Sequence, residues 1–167
     1  MKTRIIITAI LMFGLPLVIH AQASGNPIQP LVTSYLELKN ALFSSDVKTA
    51  KIAATQLKQE LSKINPDSLH KDEKGQLQKL AENIDRIINS SDLVKQRNYF
   101  MAVSESFYQL LKNDGGNSEI LYYDFCPMAN NGKGAYWISE TEKIKNPYYG
   151  SKMATCGSVK DSLPPVK

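Results

Sequence analysis

The sequence predicts a mainly α fold: an antiparallel up-down four-helix bundle with a small loop or hairpin cap at its C-terminal end. Three observations carry this expectation. Apolar residues recur at three- and four-residue steps through four successive segments between residues 31 and 113, the period of an amphipathic helix. Short polar breaks rich in Ser, Asn, Asp, Pro and Gly separate these segments, and short connections favour antiparallel neighbours. Beyond Gly116 the helical period is lost, and six of the nine Tyr and Trp residues fall between Tyr122 and Tyr149.

The first helix carries Leu31, Tyr35, Leu38 and Leu42 on one stripe, with Glu37 and Lys39 on the other side. Ser44-Ser45-Asp46 ends it and offers the next helix an N-cap. The second buries Ala50, Ala53, Leu57, Leu61 and Ile64, its alanines allowing one close helix approach, and stops at Asn65-Pro66-Asp67-Ser68 because proline cannot continue the backbone ladder. The third shows Leu77, Leu80, Ala81, Ile84, Ile87 and Ile88, with Glu82 four residues before Arg86 as a supporting surface pair. Asn89-Ser90-Ser91-Asp92 is again a stop followed by a cap. The fourth presents Leu93, Arg97, Phe100, Ser104, Phe107, Tyr108 and Leu111, and ends at Asn113-Asp114-Gly115-Gly116. Arg97 and Ser104, on the inner stripe, are placed to bond to the cap.

The cap is expected over residues 117–158. Leu121 to Cys126 reads as a short strand, Asn131-Gly132 as a tight turn tolerant of positive φ, and Ala135 to Ile138 as the returning strand. Ser139-Glu140-Thr141-Glu142 has the form of a capping box and predicts one helical turn. Asn146-Pro147-Tyr148-Tyr149-Gly150 is a turn. Trp137 and the tyrosines are expected to form the core of the cap, and Asp124, Glu140 and Glu142 to be surface charges.

The N-terminal residues stand apart. Lys2 and Arg4 precede an apolar run from Ile5 to Ile19, and Ala21-Gln22-Ala23 offers small residues at the spacing of a signal-peptidase site. Residues 1–23 therefore read as a secretory signal peptide, shorter in its apolar part than the ~20 residues a membrane span requires. The remaining 24–167 form one domain by length. Without Lys2 and Arg4 the formal charge of +4 falls to +2. A near-balanced chain with scattered lysines gives no electrostatic case for nucleic acid. Export places the protein in the periplasm or a comparable oxidising compartment, with no stable membrane insertion after cleavage.

The only two cysteines, Cys126 and Cys156, lie in the cap, each with a methionine nearby. Cys126-Pro127-Met128 puts two soft sulfur donors on one loop, with proline reducing the cost of ordering it. Met153-Ala154-Thr155-Cys156 puts two more on one face of a helical turn. Three readings follow: a soft-metal site, a disulfide, which is the default for two cysteines in an exported chain, and a pair of unlinked thiols. The four sulfurs can select a soft ion such as copper(I). Alternatively, the two cysteines can form a disulfide, which on the chain-entropy picture stabilises an exported domain by roughly 3 to 4 kcal/mol. Zinc fits less well, since a structural site wants four Cys, His or carboxylate ligands. His70, at the junction of helices two and three, reads as an exposed residue of a capping region. No histidine lies near either cysteine to act as a base, and no phosphate loop, Gly-x-Ser-x-Gly or His-Glu-x-x-His motif occurs, so the residues do not describe an enzyme.

Several stretches together resemble a known family. These are Leu31 to Leu42; Gln96-Arg97 with Phe100 and Ser104; Tyr123-x-x-Cys126-Pro127-Met128-Ala129; Gly132-Lys133-Gly134-Ala135-x-Trp137; Ile144-x-Asn146-Pro147-Tyr148-Tyr149-Gly150; and Met153-x-x-Cys156-Gly157. The chain is similar over these to the bacterial exported family catalogued as domain of unknown function 3347. The tyrosine preceding this cysteine in close relatives is Phe125 here, which keeps the packing and loses a hydroxyl. In that family the domain also occurs attached to periplasmic adaptors of copper and silver efflux pumps. The resemblance thus implies copper binding in the envelope, with Cys126, Met128, Met153 and Cys156 as ligands. It also implies buffering of the ion or its transfer to a heavy-metal efflux pump adaptor. A disulfide-stapled helical interaction module without metal is the alternative.

Overall fold

The computed structural model describes residues 28–65, 71–115 and 117–165; the expected signal peptide and His70 lie outside the described residues. The fold is mainly helical, with four helices and a small three-stranded antiparallel sheet at the C-terminal end. The helices are α1 (Gln29–Phe43), α2 (Val47–Leu61), α3 (Lys71–Asn89) and α4 (Leu93–Asp114). The strands are β1 (Leu121–Cys126), β2 (Ala135–Ser139) and β3 (Ser158–Leu163).

The helix starts follow the capping chemistry of the sequence. The Asp46 carboxylate accepts the Lys48 and Thr49 amides, both at 3.0 Å. Asp92 does the same for Val94 at 2.8 Å and Lys95 at 3.3 Å. Each satisfies donors that the first turn of a helix leaves unpaired. α4 ends at Gly115, whose φ of 66° is left-handed.

Consecutive helices pack side by side: α1 on α2, α2 on α3, α3 on α4. The stripe predicted for α1 is buried throughout, with Leu31, Tyr35, Leu38 and Leu42 all excluded from solvent. α1 reaches α4 mainly through Tyr35, whose ring stacks on Phe100 at 5.3 Å and on Phe107 at 4.8 Å. The sheet enters here, with β2 running against α4 and touching α1. The Tyr35 hydroxyl lies 2.7 Å from Ser104 Oγ and accepts the Ile138 amide at 3.0 Å, so one buried hydroxyl joins α1, α4 and β2. Such a bond is needed, because a buried polar group without a partner costs about 1–3 kcal/mol.

The sheet order is β2-β1-β3, so the cap is not a two-stranded hairpin. β3 lies almost wholly beyond the cap expected over residues 117–158, and its Ser-Val-Lys-Asp-Ser-Leu composition hides it. Only Leu163 of β3 is fully buried, the pattern of an edge strand whose pairing comes from backbone rather than side chains. The β1–β2 connection is longer than a two-residue turn, with Asn130, Asn131 and Gly132 left-handed in succession. No helical turn follows Ser139; the short 3-10 helix lies instead at Gly150–Met153. Among the described residues no helix is long and apolar enough to cross a membrane.

Candidate sulfur site and the buried charges beneath it

The sheet register explains why cysteines thirty residues apart meet. Cys126 ends β1, and Phe125 pairs with Ser158 at the start of β3. The antiparallel pairing therefore returns the chain just before β3 to the end of β1. The Sγ atoms of Cys126 and Cys156 are 2.7 Å apart and not bonded as a disulfide. Cys126 is fully buried and Cys156 half-buried. Gly157 makes the approach possible: at φ 142°, a Cβ there would lie 2.9 Å from the Phe125 carbonyl oxygen and 2.9 Å from the Trp137 ring.

Both methionines are brought to this place through their backbones. The Met128 amide faces the Cys156 sulfur, and the Met128 carbonyl accepts the Tyr149 hydroxyl at 2.6 Å. The Met153 carbonyl accepts the Cys156 amide at 3.1 Å. Met128 is 54% exposed, and Met153 is half-buried on the 3-10 helix. Asn146, fully buried, pins the returning chain: its side-chain amide donates to the Cys156 carbonyl at 2.8 Å, and its oxygen accepts the Tyr148 amide at 2.8 Å. The contact with Cys126, then burial, raises the Cys156 thiol pKa, while the Met128 amide opposes the shift.

This donor set fits a soft ion in kind. Among the described residues no group of three or more His, Cys, Asp and Glu side chains could hold a metal. An ion taken up by Cys126 and Cys156 would draw further ligands from thioethers, carbonyls or an outside donor. That chemistry suits copper(I) and does not suit calcium, magnesium or structural zinc.

Below the sulfurs lies a charged cluster that the sequence reading placed on the surface. Asp124 is completely buried, not a surface charge, and neither carboxylate oxygen has a well-formed hydrogen bond. Lys39 is also completely buried, contrary to its expected place on the outer side of α1, and is paired with Glu140. Glu140 is partly buried and accepts from Asn40 as well. Asp124 pairs with Trp137 across the strands, so both project to the same face, and the indole N–H lies against the carboxyl without completing a bond. Burial pushes the Asp124 carboxyl up to about 7, against the opposing charge of Lys39 and with a contribution from Glu140. Burial lowers the Lys39 pKa, opposed by Glu140. Burial also pulls Glu140 upward, but Lys39 outweighs it and holds the carboxyl below its usual range.

A pH dependence follows. A carboxyl whose pKa is higher folded than unfolded binds more protons in the native state, so its contribution is full below about pH 4 and is lost as pH rises to about 7. Asp124→Asn is expected to flatten the stability profile between those limits. It should also raise the melting midpoint at pH 7.5, which thermal denaturation across pH will show.

The cap core is partly as expected. Trp137 is fully buried, edge-on to Tyr148 at 5.8 Å, and Tyr123 stacks between Tyr108 at 3.7 Å and Tyr136 at 4.8 Å. Tyr136 itself is 40% exposed. Arg97 bonds to the cap as predicted, its Nε donating to the Pro147 carbonyl at 2.8 Å, and its Nη2 to the Leu42 carbonyl at 2.8 Å and Ser45 Oγ at 3.0 Å.

In comparisons with known proteins, no curated protein and no solved structure matches the chain. The model of one family, described as protein of unknown function (DUF3347), matches residues 31–119, which is more than half of the 167 residues. The matched stretch covers α1 to α4 and ends just before β1, so both cysteines lie beyond it. On that match the chain belongs to the DUF3347 family of proteins of unknown function.

Proposed function

We propose that this is an exported, non-catalytic protein that takes up a soft metal ion, copper(I) foremost, between Cys126 and Cys156. Met128 and Met153 serve as further sulfur donors. The observation that supports the reading is that the sheet register brings the Cys126 and Cys156 sulfurs together beside the exposed Met128. A partly buried thiolate pair is unfavourable alone, and a monovalent cation bound by both sulfurs offsets its charge. The helices, read as an up-down bundle, hold the sheet, and with it both ends of the sulfur-bearing segment. Buffering of the ion, or transfer to the adaptor of a heavy-metal efflux pump, is the role that the resemblance to periplasmic adaptor-linked domains supports.

A second reading is favoured by the 2.7 Å separation of the two sulfurs. Two sulfurs this close need little movement to form a disulfide, whereas a bridging ion requires them to part. Intact mass of the exported protein before and after alkylation separates the two. Two alkylated thiols, followed by uptake of one copper(I) by the unalkylated protein in competition with a chromophoric chelator, support the metal site. Resistance to alkylation without reductant, or failure of the reduced protein to compete, removes it.

A further inference from the structure

A cavity of about 300 Å³ lies between α4 and the cap. It is lined by Arg97, Lys152, Asn98 and Asn131, with Val94 and Tyr149 among its other walls, and among the described residues no acidic side chain lines it. Arg97 is half-buried there, and its three hydrogen bonds use Nε and Nη2 only. Every acceptor is a neutral oxygen: two backbone carbonyls and one hydroxyl. The Leu42 carbonyl at the C-terminal end of α1 offers a partial negative charge and not a whole one. Among the described residues neither Nη1 donor has a protein acceptor, and no ion pair holds the guanidinium. Gly150 permits this placement, since a Cβ there would lie 2.8 Å from Arg97 Nη2.

A half-buried guanidinium stays charged at any physiological pH, and a planar pair of unused N–H groups matches an oxyanion. Lys152 adds a second positive charge, and the carboxamides of Asn98 and Asn131 add neutral donors. We propose that this cavity binds a compact oxyanion, a carboxylate or phosphate group of a small molecule, with Arg97 as its principal contact. The site is independent of metal uptake. The adjoining loop, residues 129–131, follows Met128 directly, so the two sites share one segment of chain.

The test is a titration of the ¹⁵N-labelled protein with succinate, and separately with inorganic phosphate, at constant ionic strength set by chloride. Saturable shifts confined to the Arg97 Nε–H and to residues 129–131 and 150–152 are expected. Response to only one of the two identifies the ligand group, and response to both identifies an oxyanion site without that preference. Arg97 itself is kept, because it joins α1, α4 and the cap. Val94→Asp places a like charge in the cavity wall, at a first-turn position of α4 where an acid favours the helix, and is expected to abolish the shifts with the melting midpoint retained. Lys152→Gln is expected to weaken binding about two- to fivefold. Shifts that spread across the surface lysines, persist in the folded Val94→Asp protein, or fail to saturate overturn the proposal.

Discussion

Replacing Lys39 with methionine is expected to destabilise the protein by about 3 kcal/mol at pH 8 and by distinctly less at pH 5. Methionine keeps most of the volume and packing of the lysine stem, so the loss is mainly electrostatic. Breaking a buried ion pair by removing one partner costs about 3–5 kcal/mol, and the partial exposure of Glu140 places this case at the lower end. Without Lys39, Asp124 and Glu140 lose the cation that lowers both their pKa values, so both folded pKa values rise. The native state then binds more protons than the unfolded chain above about pH 4, and stability falls as pH rises. The double variant Lys39→Met with Glu140→Gln removes one of the two stranded carboxylates and should recover much of the loss. Urea denaturation at both pH values checks this. A deficit equal at pH 5 and pH 8 would mean that Lys39 acts by packing alone.

The second large effect concerns the sulfurs. Cys126→Ser and Cys156→Ser are each expected to weaken copper(I) binding by more than the roughly 10–100-fold that follows loss of an outer-shell partner, since each removes an anionic donor itself. Met128→Leu and Met153→Leu remove neutral thioethers, and a smaller loss is expected, on the order of tenfold each, or about 1.4 kcal/mol. Competition with a chromophoric copper(I) chelator reads all four. Met128→Leu carries little folding risk because the side chain is 54% exposed.

The helices were legible because burial in each is set by one periodic stripe, and Asp46 and Asp92 mark two starts by local hydrogen-bond chemistry. The convergence of Cys126 and Cys156 was legible only as a possibility. What realises it is the β1–β3 register, and β3 carries too little apolar pattern to be read before the backbone is known. The buried charges had a signal that side-chain chemistry obscured. Asp124 stands two residues before Cys126 in a strand, so a buried Cys126 places Asp124 on the same face. Lys39 stands four residues after Tyr35 and next to Leu38, at the edge of the inner stripe of α1. A lysine there reads as solvated unless an acid waits above it, and Glu140 is 101 residues away in sequence.

The central claim is that Cys126, Met128, Met153 and Cys156 supply sulfur to one ion. X-ray absorption at the copper K edge, on the reduced protein loaded with one equivalent of copper(I), tests it most directly. The expected result is a first shell of sulfur only, which loses scattering when Met128 or Met153 becomes leucine. A shell containing nitrogen or oxygen, or a two-sulfur shell that neither methionine substitution alters, would contradict the four-sulfur site.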